Sequence, residues 1–283
     1  MIGINDYPTP TDEKGQPMKD EKGNVIDNDL RGPKNDVKSI QDLMLKNYGV
    51  KSSNIKSLLD KDASGKNLLE SLKWIMNSAK PGDQVVLFYS GHGGQIPTED
   101  KSEKDGKDEV FVLADGALVV DDLINDLRNI LTTNGINFTG IFDSCFSGGM
   151  SRDAGPNKRF KFLPNVTKYK NYKTFKAKLP SMPAVRPNAT TKAMASKGSF
   201  AFLYAGREDQ PTIDLGSDDP KVESHGLFTL ALTAIVSEEP TAPAKPVIEA
   251  IASFLKDNEI DQEPTFEFSD EDRSNQPIIL VAK

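Results

Sequence analysis

The sequence has few of the side chains that most catalytic and metal sites use. It contains one cysteine, Cys145, and two histidines, His92 and His225, among 283 residues. A single cysteine excludes an intrachain disulfide, and it excludes a zinc site built on several thiolates. Chemistry that needs a thiolate or an imidazole therefore has very few candidate residues.

Long apolar runs are also lacking. No stretch approaches the ~20 consecutive apolar residues that a membrane-spanning helix needs, and no charged and then apolar leader opens the chain. With 37% hydrophobic and 27% charged residues, the composition is typical of a globular protein. We expect a cytoplasmic protein without a membrane partner.

Charge is distributed unevenly along the chain. The net charge is -7, yet residues 152–197 are rich in Lys and Arg and include a single acidic residue, Asp153. Such asymmetry can mark an arm that binds nucleic acid. This stretch has no recognisable binding motif and no aromatic stacking platform, and the rest of the chain is acidic, so no nucleic-acid partner is expected.

Strand-like and helix-like patterns alternate along the chain. Continuous apolar runs of β-formers are typical of buried parallel strands, and apolar residues three and four positions apart predict amphipathic helices. The predicted strands are residues 1–5, 54–59, 84–89, 108–114, 138–142, 200–205 and 277–281, and the predicted helices are residues 35–48, 67–79, 121–131, 227–237 and 246–256. This alternation predicts an α/β fold with a mostly parallel sheet.

Two stretches interrupt the alternation. Residues 10–29 are polar and rich in turn-forming residues, which indicates an inserted loop. Residues 152–198 are basic, contain several prolines and show little periodicity, and we expect them to be exposed. Loops of this length inside a compact domain are usually functional or disordered.

Two glycine-rich motifs each follow a predicted buried strand. SGHGG occupies residues 90–94, and DSCFSGG occupies residues 143–149. Functional groups in such sheets collect beyond the carboxyl ends of the strands, so we expect His92 and Cys145 to lie close together. A cysteine peptidase needs a thiolate, an imidazole that accepts and returns the proton, and backbone N–H donors for the oxyanion. These two residues and the amides around Gly93 and Cys145 could supply all three.

Each of these residues alone has an ordinary structural explanation. A lone cysteine after an apolar strand is usually a small packing residue, and a histidine in a glycine-rich loop is as often structural. The conjunction favours catalysis, because the histidine precedes the sole cysteine by about 50 residues, which is the order and interval of caspases. His225 is also followed by glycine, but no buried strand precedes it. We expect His225 to have a structural or substrate-loop role.

On these motifs the sequence resembles the caspase-like clan of cysteine peptidases and, within it, the metacaspases. The family's Tyr-Ser-Gly-His-Gly-Gly motif is matched at residues 89–94, and its Asp-x-Cys-x-Ser-Gly motif at residues 143–148. The chain departs from the family at Phe146, where His is frequent, and at Pro33, where Cys is frequent. A bacterial or otherwise divergent member would accommodate both changes. Weaker similarities lie at residues 3–7, 31–37, 105–109, 121–122, 205–210 and 224–229.

The resemblance implies a caspase-like (caspase–hemoglobinase) fold, with helices on both faces of a mostly parallel central sheet, in a single domain of residues 1–283. Within it, residues 1–151 correspond to a large-subunit-like region, 152–198 to the basic linker and 199–283 to a small-subunit-like region. It also implies a monomeric endopeptidase that acts on protein or peptide substrates and needs no cofactor for the chemistry. Its dyad would be Cys145 and His92, with Gly93 and Cys145 as the oxyanion donors.

A further implication is specificity for Arg or Lys at P1, the residue before the cleaved bond. The positions that match the family's acidic S1 pocket are Asp36, Ser90 and Asp143, and a carboxylate pair suits a guanidinium or ammonium group. A helix N-terminal charge and a turn-forming role are the structural alternatives for the two aspartates. An enzyme with this pocket would find a substrate in its own linker, so we expect an autocatalytically processed or self-inhibited zymogen. Candidate cleavage sites include Lys158, Arg159, Lys161 and Lys178.

Calcium activation is the last implication of the resemblance. Many metacaspases need Ca²⁺ through a cluster of aspartates, whose nearest equivalents here are Asp105, Asp121, Asp122 and Asp153. Carboxylate oxygens suit Ca²⁺, but solvated loops and helix N-terminal charge explain these acidic residues equally well.

Three other interpretations stay open. A non-catalytic caspase-like interaction module is disfavoured because the cysteine and the histidine are both present. A nucleic-acid-binding protein would use the basic linker and would lose affinity steeply with salt. Another member of the clan, with a different P1 preference, would share the order of the two motifs but differ in the residues around them.

Overall fold

Strands and helices alternate along the chain. The computed structural model describes residues 1–99, 101, 105–146, 157–182 and 197–280. Its strands are β1 (Ile2–Gly3), β2 (Leu58–Leu59), β3 (Gln84–Ser90), β4 (Gly93–Pro97), β5 (Lys107–Val112), β6 (Ala117–Val120), β7 (Asn137–Asp143), β8 (Lys158–Phe160), β9 (Lys173–Thr174), β10 (Phe200–Tyr204), β11 (Ile213–Leu215), β12 (His225–Gly226) and β13 (Thr265–Phe268). Its helices are α1 (Pro33–Lys46), α2 (Gly65–Ser78), α3 (Asp122–Thr133), α4 (Leu227–Glu238), α5 (Ala244–Asp257) and the short α6 (Glu271–Ser274).

A six-stranded sheet forms the centre of the fold, in the order β13-β10-β7-β3-β1-β2. Neighbouring strands are parallel except at the edge, where β13 runs antiparallel to β10. The inner strands β3 and β7 consist mostly of apolar residues, because helices cover both of their faces. The predicted α/β class with a mostly parallel sheet is confirmed.

Each face of the sheet packs on its own hydrophobic core. Phe138 and Phe142 of β7 pack with α2 and α3 on one face, whereas Ile141 packs with α1, α4 and α5 on the other. This alternation follows from the two-residue period of a strand, which sends successive side chains to opposite faces. None of the helices in the described parts of the chain is long and apolar enough to cross a membrane.

The carboxyl ends of β3 and β7 lie side by side. Ser90, the last residue of β3, is the pairing partner of Asp143, the last residue of β7. The SGHGG and DSCFSGG motifs therefore leave the sheet at the same edge. A smaller sheet in the order β12-β11-β8 stands beside this edge, and its strand β8 comes from the basic linker.

The end of the chain differs from the expectation. Of the predicted strand at 277–281, Pro277 forms only an isolated bridge to Pro243, and Ile278 and Ile279 are buried in irregular chain. A run of apolar residues indicates that a segment is buried, but a buried strand and a buried irregular segment have the same pattern. Pro277 also lacks the N–H group that a strand residue donates to its neighbour. The actual edge strand, β13, was not predicted. The predicted strand at 54–59 shortens to β2.

The basic linker also differs from the expectation of an exposed loop. The larger of its described parts, residues 157–182, contributes Leu163, Val166, Tyr169 and Tyr172 to the core. These apolar residues recur every three positions, which matches neither the 3.6-residue period of an α-helix nor the two-residue period of a strand, so the pattern analysis does not predict their burial. The domain division at 151 and 198 stays a prediction.

The predicted inserted loop at 10–29 is folded on itself by two similar turns. Asp12 accepts hydrogen bonds from the backbone N–H groups of Lys14 and Gln16, and Asp20 accepts them from Lys22 and Asn24. Both turns read Asp-Glu-Lys-Gly in the sequence, a short repeat that the sequence analysis missed. Such aspartate turns give an irregular segment a defined shape.

Candidate active site

His92 and Cys145 both lie buried at the shared edge of β3 and β7. They are 3% and 2% exposed, respectively. The two turns are joined by a hydrogen bond from the Gly91 N–H to the Asp143 carbonyl, with 3.3 Å between N and O. A side chain at position 93 would collide with the carbonyl of Cys145, so the close approach of the two turns requires Gly93. The structure thus brings the two predicted reactive residues into one site.

The imidazole of His92 is held by its backbone and by one ring nitrogen. Its backbone N–H donates to the Tyr7 hydroxyl at 2.8 Å, and its Nε2 lies 2.7 Å from the Asn28 carbonyl oxygen. A carbonyl can only accept, so Nε2 carries the proton and Nδ1 is left with its lone pair. Nδ1 is buried and has no hydrogen-bond partner among the described residues. This is the tautomer in which Nδ1 can act as a base.

Burial keeps both reactive groups neutral in this state. Burial lowers the pKa of His92 to about 4, and burial raises the pKa of the Cys145 thiol to about 11. Desolvation disfavours whichever form carries the charge, which accounts for the opposite signs of the two shifts. At neutral pH the site therefore contains a thiol and an imidazole rather than a thiolate and an imidazolium.

The predicted S1 residues surround a single cation, the ammonium group of Lys161. Lys161 is 0% exposed. Its Nζ lies 3.2 Å from Oδ2 of Asp36, 2.9 Å from Oδ1 of Asp143 and 2.9 Å from Oγ of Ser90. Ser90 in turn donates to Asp36 at 2.7 Å. All three residues that the resemblance assigned to the pocket thus contact one lysine of the linker.

The two carboxylates of the pocket are positioned by β12 and α4. Asp36 accepts from the Gly226 N–H at 3.0 Å, and its Oδ1 lies 3.0 Å from Nδ1 of His225. Asp143 accepts from the hydroxyl and the backbone N–H of Thr229. A side chain at position 226 would collide with Asp143 and with the Lys161 ammonium, so Gly226 forms a wall of the pocket. His225, expected in a structural or substrate-loop role, orients a pocket carboxylate.

Electrostatics in this cluster favour a bound cation. Burial alone would lower the pKa of Lys161, but Asp143, Asp36 and Asp214 outweigh it and hold the pKa above its ordinary value. Burial raises the pKa of Asp143, and the negative charge of Asp36 adds to this effect, while Lys161 opposes it. Asp143 therefore depends on a positive partner to stay ionised.

The carbonyl of Lys161 lies on the two backbone N–H groups that were predicted as oxyanion donors. Its oxygen accepts from the Gly93 N–H at 2.9 Å and from the Cys145 N–H at 3.2 Å. These are the two backbone donors that the sequence assigned to the oxyanion. The bond that follows this carbonyl joins Lys161 to Phe162.

The linker passes through the site as an extended strand. β8 pairs antiparallel with β11, and the Lys161 N–H donates to the Thr212 carbonyl at 3.0 Å. Beyond the carbonyl, the Leu163 N–H donates to the Gly93 carbonyl at 2.9 Å. An extended peptide that adds a strand to an exposed sheet edge is a recurrent way of binding substrates and ligands. The linker is thus held by backbone hydrogen bonds on both sides of the Lys161 carbonyl.

The predicted calcium residues are not brought together as a group. Asp121 and Asp122 begin α3, while Asp105 lies in the turn between β4 and β5. Within the described ranges, no group of three or more His, Cys, Asp or Glu side chains is arranged to hold a metal ion. Asp153 falls outside the described residues. Asp121 lines a cavity of about 210 Å³ together with Glu109 and Cys145, and calcium binding stays a prediction.

Sequence reasoning missed the roles of Tyr7, Asn28 and Thr229. The Asn28 carbonyl and the Tyr7 hydroxyl fix His92, and Thr229 fixes Asp143. His225, which was expected in a structural or substrate-loop role, contacts Asp36. A backbone carbonyl leaves no signature in a residue type, so Asn28 could not have been found from composition or spacing. His225 did carry a signal, because histidine is scarce in this chain.

The buried, neutral imidazole predicts a pH dependence of stability. An unfolded histidine has a pKa near 6.5, so below that pH the unfolded chain takes up a proton that His92 in the folded chain does not accept until about pH 4. Between pH 7 and pH 4 we expect the wild type to lose about 3 kcal/mol more unfolding free energy than a His92→Gln variant. Urea unfolding at several pH values measures this difference. Parallel pH curves for the two proteins would contradict the buried, neutral histidine.

Several curated proteins with sequences similar to this chain are metacaspases. The chain is 37% identical over 139 residues to Metacaspase-1 of Lodderomyces elongisporus, which covers 44% of this chain and 30% of that protein. It is 36% identical over 158 residues to Metacaspase-1A of Aspergillus oryzae, with coverage of 52% and 33%. It is 38% identical over 132 residues to Metacaspase-6 of Arabidopsis thaliana, with coverage of 44% and 36%. The matched region thus spans about a third of the length of these curated relatives.

The fold as a whole also has a solved counterpart. A crystal structure of a protein from Geobacter sulfurreducens superposes with a TM-score of 0.67 at 21% identity, and it covers 100% of this chain and 97% of that one. At this identity the similarity concerns the fold alone. Residues 2–152, just over half of the chain, match the family described as "Metacaspase, peptidase C14 domain", and the protein belongs to that family.

Proposed function

We propose that this chain is a cysteine endopeptidase with Cys145 as the nucleophile and His92 as its acid–base partner. The observation that carries the proposal is the placement of the Lys161 carbonyl on the N–H groups of Gly93 and Cys145, while the Lys161 ammonium fills the acidic pocket. One residue thus contacts both backbone N–H donors, one of which belongs to Cys145, and also the specificity pocket. Family membership supports the same reaction class.

The geometry suggests a conventional acyl-transfer sequence. Nδ1 of His92 accepts the thiol proton, and the Cys145 sulfur attacks the carbonyl carbon of the P1 residue. The Gly93 and Cys145 N–H groups stabilise the oxyanion as the negative charge develops. The C–N bond then breaks, the imidazolium gives its proton to the leaving amine, and a thioester remains on Cys145. Water, deprotonated by the same imidazole, hydrolyses the thioester and frees the thiol.

Cleavage after Lys or Arg follows from the charge of the pocket. Asp36 and Asp143 are fully buried, and leaving a buried ion pair without one partner typically costs roughly 3–5 kcal/mol. A neutral P1 side chain would incur that cost, and an acidic one would add repulsion between like charges. A guanidinium or ammonium group supplies the missing partner. The pocket therefore selects basic P1 residues in protein and peptide substrates.

Self-inhibition and processing at Lys161 complete the proposal. As long as the linker lies in the cleft, no other peptide can reach Cys145, which is the property of a zymogen. Among the candidate linker sites, Lys161 alone of the described lysines contacts both pocket carboxylates, whereas Lys158 and Lys178 are exposed. We therefore assign the first cut to the Lys161–Phe162 bond. A monomeric state of the enzyme stays a prediction.

Self-cleavage tests the assignment of the first cut. We expect wild type, Lys161→Arg and the exposed control Lys178→Ala to yield a fragment that ends at position 161, because each keeps a cation in the pocket. Lys161→Ala should lose that fragment, and Cys145→Ala should yield none. Intact-mass spectrometry after incubation identifies the termini. The same fragments from Cys145→Ala would show that another protease makes them, and would contradict autoprocessing.

Peptide hydrolysis tests the P1 preference. Processed enzyme is assayed with fluorogenic tetrapeptides that share P4 to P2 and carry Lys, Arg or Asp at P1. We expect Lys and Arg peptides to be cleaved with at least ~100-fold higher kcat/KM than the Asp peptide, because the Asp side chain would leave the buried carboxylates unpaired. Cys145→Ala serves as the background control. Preferred cleavage of the Asp peptide would overturn the pocket assignment.

Calcium activation is tested separately from the chemistry. The resemblance predicts that a chelator lowers turnover of a basic P1 peptide and that added Ca²⁺ restores it, because carboxylates such as those of Asp121 and Asp122 would supply oxygen ligands for the ion. Turnover is measured with and without chelator, and Asp121→Asn should raise the Ca²⁺ concentration needed for half-maximal activity. Glu238→Gln, an exposed residue at the end of α4, is the matched control. Equal turnover with and without the chelator would contradict the prediction of calcium activation.

A further inference from the structure

Three consecutive residues stand between the catalytic histidine and the linker strand. The Asn28 carbonyl lies 2.7 Å from Nε2 of His92. On either side of it, the Asp29 carbonyl accepts from Nη1 of Arg159, and an Asp27 carboxylate oxygen lies 3.1 Å from Nη2 of the same guanidinium. Arg159 precedes Lys161 by two positions, so it stands at P3 relative to the Lys161–Phe162 bond. Arg159 therefore contacts residues 27 and 29 on both sides of Asn28, the residue whose carbonyl orients His92.

We propose that residues 27–29 form a subsite for a P3 arginine and that its guanidinium, by fixing Asp27 and Asp29, holds the Asn28 carbonyl against His92. This inference rests on the proposed peptidase function and names a further feature of its substrates. The preferred class is a peptide with Arg two positions before a basic P1 residue. In the cleavage of such a substrate, Asp27 and Asp29 act as specificity residues and Asn28 as a positioning residue.

Single hydrogen bonds to the described part of the fold hold this segment on either side. After Asn28, the Asp29 carboxylate accepts from the Tyr7 N–H at 2.8 Å, and the Leu30 N–H donates to the Asn5 carbonyl at 2.8 Å. Before it, the Ile26 N–H donates to the Met18 carbonyl at 3.0 Å, and the Asp27 carboxylate accepts from the Asp29 N–H within its own turn and contacts Arg159. The segment belongs to no strand or helix, so no regular backbone ladder fixes its carbonyls. The Arg159 guanidinium contacts the residues on both sides of Asn28, whose carbonyl oxygen has to stay next to His92.

The two contacts of Arg159 act on different kinetic quantities. The Asp27 side chain is 59% exposed, and such surface ion pairs are weak and screened by salt. This contact should affect mainly substrate binding. The bond to the Asp29 carbonyl acts on the backbone beside Asn28, so it should affect the orientation of the base and hence kcat. Lysine cannot replace arginine here, because an ammonium group is a single point and a guanidinium is a planar fork that can reach both oxygens.

The test uses processed enzyme and peptides that reproduce the linker. The reference peptide carries Lys-Arg-Phe-Lys from P4 to P1, followed by a fluorogenic leaving group, and two variants carry Lys or Ala at P3. We expect the P3 Lys and P3 Ala peptides to show a kcat lowered about tenfold and a KM raised about two- to threefold. The separation of kcat from KM distinguishes positioning of His92 from binding alone.

Enzyme variants supply the reciprocal measurement. Asp27→Asn should raise KM for the P3 Arg peptide about two- to threefold at low salt. Glu13→Gln, which removes an exposed ion pair with Lys170 from the same inserted loop, is the matched control. The salt dependence of KM should weaken in Asp27→Asn and persist in Glu13→Gln.

The outcomes separate this inference from the proposed function. A kcat that is the same for Arg, Lys and Ala at P3 overturns the positioning role, even where KM differs. If kcat and KM are both the same for every P3 residue, the proposed P3 subsite is wrong as well, while the peptidase function stands. Absence of turnover on every basic P1 peptide, under the conditions in which the linker is cut, overturns the proposed function and this inference with it.

Discussion

The burial of one ammonium group among carboxylates is the constraint on which the site depends. Lys161 is 0% exposed and contacts Asp36 and Asp143, which are equally buried. None of these charges would be stable there alone, because desolvation of a single ion exceeds what the surrounding polar groups return. The linker strand is therefore held in the cleft by the same electrostatic requirement that would select a substrate.

That constraint also explains the neutral state of the catalytic pair. A strand in the cleft excludes water, and exclusion of water moves the pKa of Cys145 up and that of His92 down. The proton therefore stays on sulfur even while the Lys161 carbonyl stands on the two N–H groups. In the proposed mechanism it moves only as the attack on the carbonyl develops the negative charge that these N–H groups stabilise. The packing of the linker strand in the cleft thus determines both the occupation of the cleft and the protonation state of Cys145.

The sequence predicts the parts of the site that reside in residue types at strand ends. His92, Cys145 and Asp143 follow continuous apolar runs, and the pairing of Ser90 with Asp143 makes their proximity a consequence of parallel strands. The role of Lys161 could not be derived, because one lysine among many carries no local mark of burial. The contribution of Asn28 could not be derived either, since it is a backbone carbonyl whose position depends on the folded loop. The strand expected at 277–281 failed because apolar runs report burial and not backbone conformation.

Cleavage at Lys161 would not by itself empty the cleft. The new carboxyl end stays part of the same polypeptide as Cys145, so it competes for the cleft as an intramolecular ligand. The cut separates Lys161 from Leu163, whose N–H donates a hydrogen bond to the Gly93 carbonyl on the other side of the cleaved bond. A second peptide can make contacts on both sides of Cys145, whereas the severed strand keeps only those of β8 and Lys161. A substrate therefore competes with the cleaved linker through the contacts of the residues that follow its own cleaved bond. The ion pair between Arg159 and Asp27 is exposed and weak, so it does not prevent the substrate from displacing the linker.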